Sequence, residues 1–212
     1  MPMNRDLLQA SWEADYQKKG RLYGGSPREL PAFPSGTRVL DLGCGDGKSL
    51  VSMLDSGWYV TATDFSPAAV SLARDAVGRS ETVDYVVADA SPLPFRDNSF
   101  EAVTAIHLLG HCVPEGLYHI SREIDRVLQP GGSIYVVIFS QQDFRCGTGA
   151  EIGPAMYVRG NGILTRYFTE PEVTQIFPEY TVEMIEHIEW TLRIRGSEYP
   201  RSEVAALFSK PG

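Results

Sequence analysis

Cysteine is scarce in this chain. Cys44, Cys112 and Cys146 are three residues in 212. They lie far apart, form no C-x-x-C pair and leave an odd number, which excludes a disulfide framework and points to a reducing compartment. Their spacing from the histidines gives no ligand pattern, so no metal site is expected. Positive charge is also in short supply: 19 Lys and Arg face 27 Asp and Glu, a net charge of −8. That balance opposes non-specific attraction to a phosphate backbone. A nucleic acid or protein substrate is therefore the less favoured expectation, and a small-molecule substrate the favoured one. No apolar run approaches the roughly 20 residues that cross a bilayer. The start, Met1-Pro-Met-Asn-Arg-Asp6, has no apolar signal core, and the expectation is a cytoplasmic protein with no membrane partner. Internal repeats and low-complexity tracts are absent, and nothing in the sequence fixes an oligomeric state.

What is present is the balance of a globular chain, 43% hydrophobic and 22% charged, at a length that suits a single α/β domain. The densest stretch is Thr37 to Gly47. Val39, Leu40 and Leu42 form an apolar run suited to a strand buried on both faces, and Gly43, Gly45 and Gly47 come next at a sharp turn toward a helix. Lys48 to Ser56 is expected as that helix, stopped by Gly57. Trp58 to Thr63 is a second strand, with Ser66 and Pro67 capping the next helix. Val83 to Ala88 is a third strand, and Phe100 to Ile106 a fourth with His107 at its end. Leu117 to Leu128 has helical spacing, Gln129-Pro-Gly-Gly132 a turn, and Ser133 to Phe139 a strongly β-branched fifth strand. This alternation is that of a doubly wound, mostly parallel sheet.

Both ends of the chain are less regular. Asp6 to Tyr16 is moderately amphipathic, and Gly20, Gly24, Gly25, Pro27, Pro31 and Pro34 punctuate the segment between it and the first strand. Residues 1–36 thus read as an N-terminal helix and candidate lid. Ser140 to Arg166 is a long, glycine-rich, loop-like tract, so 140–168 reads as an insertion over the active site. Thr169 to Glu172 carries a capping-box pattern. Thr181 to Ile194 and Val204 to Ser209 read as an antiparallel pair joined through Gly196 to Pro200.

The chemistry concentrates at strand ends. The first loop reads G-x-G-x-G rather than G-x-G-x-x-G, and Asp41 and Asp46 stand beside its glycines. Such a loop repels phosphates and suits a cation or zwitterion, in particular a sulfonium carrying an amino group. Asp64, about twenty residues on, is placed to accept from two ribose hydroxyls. Phe65 can lie on an adenine, and Asp89, followed by Ala90, can accept from an exocyclic amine. His107 and His111 are the candidate general bases. Arg145, Tyr157, Arg159 and Arg166 mix charge with aromatic rings and are candidates for orienting a polar substrate.

Taken together, Val39 to Gly47, Asp64-Phe-Ser-Pro67, Asp89-Ala90, Phe100-Glu-Ala-Val103 and Leu128-Gln-Pro-Gly-Gly132 resemble the class I S-adenosylmethionine-dependent methyltransferases. The resemblance runs from the first to the fifth strand. It implies a Rossmann-like methyltransferase fold whose seven-stranded sheet ends in an antiparallel strand, with S-adenosylmethionine as cofactor. Carried over by position, Asp41, Gly43, Cys44 and Gly45 hold the methionine moiety, Asp64 the ribose, and Phe65, Asp89 and Ala90 the adenine. His107 falls where substrate-facing residues begin and is counted with the cofactor contacts too. Glu101 replaces a more usual Asp. The Asn-Pro-Pro-Tyr type motif of amide and adenine amino-methyltransferases is absent after the fourth strand, where Ala105 to His111 stands instead.

Overall fold

A computed structural model of the chain describes residues 5–20, 29–78 and 80–212. Gly24, Gly25 and Pro27, read above as lid punctuation, lie outside the described residues. Strands β1 (Arg38–Leu42), β2 (Tyr59–Asp64), β3 (Val83–Val87), β4 (Phe100–Ile106), β5 (Leu128–Phe139), β9 (Thr181–Ile194) and β10 (Ser197–Ser209) form one seven-stranded sheet in the order β3-β2-β1-β4-β5-β10-β9. The first five run parallel, and β10 is antiparallel to both β5 and β9. This is a Rossmann-like methyltransferase fold. The chain order reverses between β1 and β4, and the crevice outside such a switch point is where open α/β sheets bind ligands.

Period-two alternation explains why both faces are covered. Val39 points to one side, with Val60, Ala62 and Ala102, against α2 (Leu50–Asp55) and α3 (Pro67–Val77). Leu40 and Leu42 point to the other, with Val103, Ala105, Ile134 and Val136, against α4 (Pro114–Val127) and α5 (Glu170–Thr174). All of these strand residues are essentially inaccessible, so truncating any of the leucines to alanine costs roughly 2–5 kcal/mol. The helix starts follow local rules. Ser66 accepts from the Ala69 N–H at 3.1 Å with Pro67 at the first helical position. Glu172 accepts from the Thr169 N–H and hydroxyl, both at 2.9 Å. No helix of the described residues is long and apolar enough to cross a membrane.

Two expectations are corrected. The tract after β5 is not a plain loop: β6 (Ala150–Gly153), β7 (Met156–Val158) and β8 (Leu164–Arg166) pair as a small antiparallel sheet. Strands of three or four residues broken by glycine carry no readable period. The final strand also starts at Ser197, ahead of Val204, because the hairpin turns within Arg195 and Gly196, at φ 49° and 83°. Two consecutive positive φ values match the right-handed twist of the flanking strands. Pro200 is tolerated because β10 has only β9 as its sheet partner there, its pairing with β5 beginning at Glu203.

Candidate active site

The loop after β1 brings bare backbone to the switch point. Gly45 (φ 56°) donates its N–H to Asp64 Oδ2 at 3.1 Å, and a Cβ there would stand 2.8 Å from the Tyr16 hydroxyl. At Gly47 (φ 81°) a Cβ would meet the Ala73 Cα of α3 at 3.0 Å. Only glycine meets both the left-handed backbone and this close approach. The Cys44 N–H donates to Thr63 O at 2.9 Å and ties the loop to β2.

Two carboxylates share this corner. Asp41 is 3% exposed and accepts from the Thr104 hydroxyl at 2.7 Å; burial raises it to about 6, and the charge of Asp64 adds to the rise. Asp64 is 7% exposed and is likewise raised by burial to about 6, although the N–H groups of Ser66 (2.9 Å) and Gly45 support its ionised form. Among the described residues no cation pairs with either. Buried carboxylates without a protein counter-charge fit a cationic or zwitterionic ligand, which the sulfonium and ammonium of S-adenosylmethionine would supply. Burial, and then Asp41, Asp64 and Asp46, push the Cys44 thiol well above its ordinary range, so it stays protonated. Asp89 accepts from the Ser91 N–H at 2.6 Å and pairs with Arg5.

Helix α1 (Arg5–Lys19) roofs this corner. Glu13 accepts from the Ser66 hydroxyl at 2.5 Å and the Ala68 N–H at 3.2 Å, where the positive end of α3 favours a carboxylate. Gln9 Nε2 donates to Phe65 O at 2.8 Å, and Asn161 Nδ2 donates to Asp15 at 3.3 Å from the insertion. Trp12 sets its ring edge-on to His111 at 4.9 Å, and Trp12 and Tyr16 pack with Ile163 and Ala69.

His107 follows β4 in a left-handed conformation, φ 61°, with its N–H held by Val137 O at 2.8 Å. Its Nε2 lies 3.0 Å from Glu203 Oε1 on β10, a carboxylate only 2% exposed, and its ring stacks on Phe139 at 4.2 Å. A non-glycine residue at positive φ is a strained choice, held here by the strand and by the two side-chain contacts. His111 places Nδ1 2.6 Å from Leu164 O, and burial lowers its pKa to about 4. The neutral ring therefore carries its proton on Nδ1, leaving Nε2 as an acceptor.

The cavity these residues enclose measures about 1580 Å³, well beyond the several hundred Å³ that hold one drug-sized ligand. Asp41, Gly43, Cys44, Gly45, Asp64, Phe65, Asp89, Ala90, His107 and His111 all line it, as do Arg145 and Arg159. Tyr157 and Arg166, expected to face a substrate, are not part of its wall. Arg166 is drawn to Glu172 at 3.1 Å and over the Phe168 ring at 4.5 Å; Tyr157 lies against Tyr167, ring centroids 6.1 Å apart. In the other direction, the cavity wall includes Trp12, Tyr16, Arg201 and Glu203, none of which the strand-end motifs single out. Trp12 and Tyr16 belong to the amphipathic segment read as a candidate lid, whereas Arg201 and Glu203 leave as their trace in the sequence two charges abutting the apolar run Val204 to Phe208.

Residues 40–136 match the family model described as a methyltransferase domain. The chain is 29% identical to the tRNA N(3)-cytidine methyltransferase METTL2 of Gallus gallus, over 77% of this chain and 47% of that protein. It is 32% identical to the 2-methyl-6-phytyl-1,4-hydroquinone methyltransferase of Synechocystis, over 68% of this chain and 43% of that one. The chain thus spans about half the length of the curated relatives it matches. Among solved structures, a SAM-dependent methyltransferase of Methanosarcina mazei superposes with a TM-score of 0.70 at 24% identity, covering 85% of this chain and 95% of that one.

Proposed function

This chain belongs to the class I S-adenosylmethionine-dependent methyltransferases, and from that premise we propose that it moves a methyl group from S-adenosylmethionine to a small-molecule nucleophile. The observation that carries this reading is the row of acids Asp41, Asp64 and Asp89 at neighbouring strand ends, opening with His107 into one cavity. In this reading Asp41, Gly43, Cys44 and Gly45 hold the amino-acid end of the cofactor, Asp64 accepts from the ribose hydroxyls, and Phe65, Asp89 and Ala90 flank the adenine. When bound, the cofactor supplies a methyl group made electrophilic by its sulfonium.

The protein's part is alignment and exclusion of water, which supply most of the catalysis in a direct displacement. Helix α1, within the segment 1–36, serves as the lid, its Trp12 and Tyr16 closing over the loop. The 140–168 insertion forms the acceptor-side wall through Arg145 and Arg159. His107, whose Nε2–H donates to Glu203 and whose Nδ1 has no partner among the described residues, takes on Nδ1 the proton of an acceptor that is protonated at neutral pH. His111, at about 4, is too weak a base for that task and orients by accepting a hydrogen bond. The net charge of −8 and the room left beyond a nucleoside support a small acceptor, and the cytoplasmic setting belongs to the same proposal.

A tRNA acceptor is the second reading, favoured by the similarity to METTL2. Calorimetric titration with S-adenosylhomocysteine, followed by methyl-release assays on small nucleophiles and on tRNA, separates these. The expected result is tight binding and turnover on a small acceptor, abolished or strongly slowed in His107→Ala under conditions where S-adenosylhomocysteine still saturates the variant. Turnover on tRNA alone would establish the second reading. Binding without turnover on any acceptor would leave a cofactor-binding module, and failure to bind would overturn the reading.

A further inference from the structure

Three guanidinium groups converge on the acceptor side of the cavity, and two of them pair with no carboxylate among the described residues. Arg201 on β10 is 7% exposed and donates from Nε to Asp143 Oδ2 at 2.5 Å. Its flat face lies over Phe139 at 4.9 Å and Trp190 at 5.2 Å. Asp143 is already committed, since it also accepts from the N–H groups of Arg145 (3.0 Å) and Ser202 (3.2 Å). Arg145 and Arg159 are half-buried, line the same cavity, and pair with no carboxylate among the described residues. Arg145 lies over the Phe144 ring at 5.4 Å, and Arg159 reaches only the Tyr167 hydroxyl at 3.4 Å. Burial first, then the charges of Arg201 and Arg159, hold the Arg145 guanidinium below its ordinary range, so the three groups lie close enough to feel one another. Glu203, which faces His107, Glu186, and Asp15, which accepts from Asn161, line the same cavity without pairing with Arg145 or Arg159. In a chain of net charge −8, such a concentration of cations is not a product of composition.

We propose that Arg145, Arg159 and Arg201 form a receptor for an oxyanion, a carboxylate or a phosphate, carried by the methyl acceptor. The proposal rests on the methyltransferase reading above. A planar guanidinium with free donors matches either oxyanion in a two-point fork, and partial burial strengthens that pairing over its value in water. The receptor lies one aromatic ring from the base: Phe139 carries Arg201 at 4.9 Å, and His107 stacks on it at 4.2 Å. Tyr135, Ile188 and Trp190 also line this side of the cavity. The acceptor that fits has an apolar or aromatic body, an anionic group on the arginines and its nucleophile beside His107.

The test uses the full chain saturated with S-adenosylhomocysteine and titrated separately with benzoate and inorganic phosphate at constant ionic strength. At least one probe should bind, and its affinity should fall about tenfold or more in Arg145→Gln and in Arg159→Gln. Arg193→Gln removes an exposed arginine paired with Glu198 and should bind like the native chain. Binding of benzoate alone supports a carboxylate acceptor, of phosphate alone a phosphorylated one, and of both a general oxyanion receptor. Binding of neither, an undiminished affinity in both cavity variants, or an equal loss in Arg193→Gln overturns the receptor. S-Adenosylhomocysteine affinity, measured in every variant, reports folding. Its retention without anion binding sinks only this proposal, whereas its absence in the native chain sinks the methyltransferase reading itself.

Discussion

In Asp64→Asn the side chain keeps its shape and loses its charge. Burial lifts the Asp64 carboxyl from 3.8 to about 6, so keeping it ionised at neutral pH costs the unliganded fold about 3 kcal/mol relative to the unfolded chain. The amide escapes that cost, but its NH2 must face one of the two N–H groups, of Gly45 or Ser66, that the carboxylate now satisfies. A buried donor left unpaired costs about 1–3 kcal/mol. The two effects nearly cancel, and the melting temperature of the unliganded variant should stay within about 5 °C of native. Cofactor binding has no such compensation. The ribose hydroxyls lose a charged acceptor, about 2–3 kcal/mol, which weakens binding about 30- to 150-fold. Calorimetry with S-adenosylhomocysteine, beside a thermal melt of the unliganded protein, measures both quantities. An affinity within about threefold of native, with the melt unchanged, would show that the ribose does not rest on Asp64.

A second outcome concerns pH. Asp41 and Asp64 both titrate near 6 when folded, above their ordinary 3.8. The unliganded fold therefore binds more protons than the unfolded chain between about pH 4 and 6, and their contribution to stability falls as pH rises through that window. His111, depressed to about 4, acts in the opposite sense, so the cleaner observable is the gain in melting temperature on adding S-adenosylhomocysteine. A ligand that needs both carboxylates ionised should give a gain that grows from pH 5 to pH 7, and a flat gain would count against the carboxylate contacts. Gly47→Ala should destabilise more than Gly131→Ala in urea titrations, although both glycines sit at positive φ, 81° and 73°. Each variant bears about 1–2 kcal/mol of left-handed strain, but only the Gly47 Cβ meets backbone, the Ala73 Cα at 3.0 Å. Equal losses would mean that α3 yields freely.

The sequence by itself determined the parallel half of the sheet and the corner where its glycines and strand-end acids meet, because both depend on local signals. Apolar runs of period two, the glycines after Leu42, the Ser66–Pro67 cap and an acid at each strand end are written within a few residues of one another, and the parallel fold places those ends together without further instruction. Tertiary structure decided the other side of the cavity. Glu203 comes to His107 from the last strand, and Arg201 meets Asp143 across the β5–β10 edge, pairings that no local pattern encodes. Arg145 and Arg166 look alike in the sequence, yet Glu172 and Phe168 capture Arg166 while the Arg145 guanidinium lies near Arg201 and Arg159 and pairs with no carboxylate among the described residues. Arg166 finds its partners two and six residues along the chain, whereas the cations beside Arg145 come from the insertion and from β10, which meet it only in the folded chain. The corner of glycines and acids is written locally because each of its parts belongs to one strand end or the turn that follows it, whereas the opposite wall of the cavity, assembled from the roof helix, the insertion and the final hairpin, exists only in three dimensions.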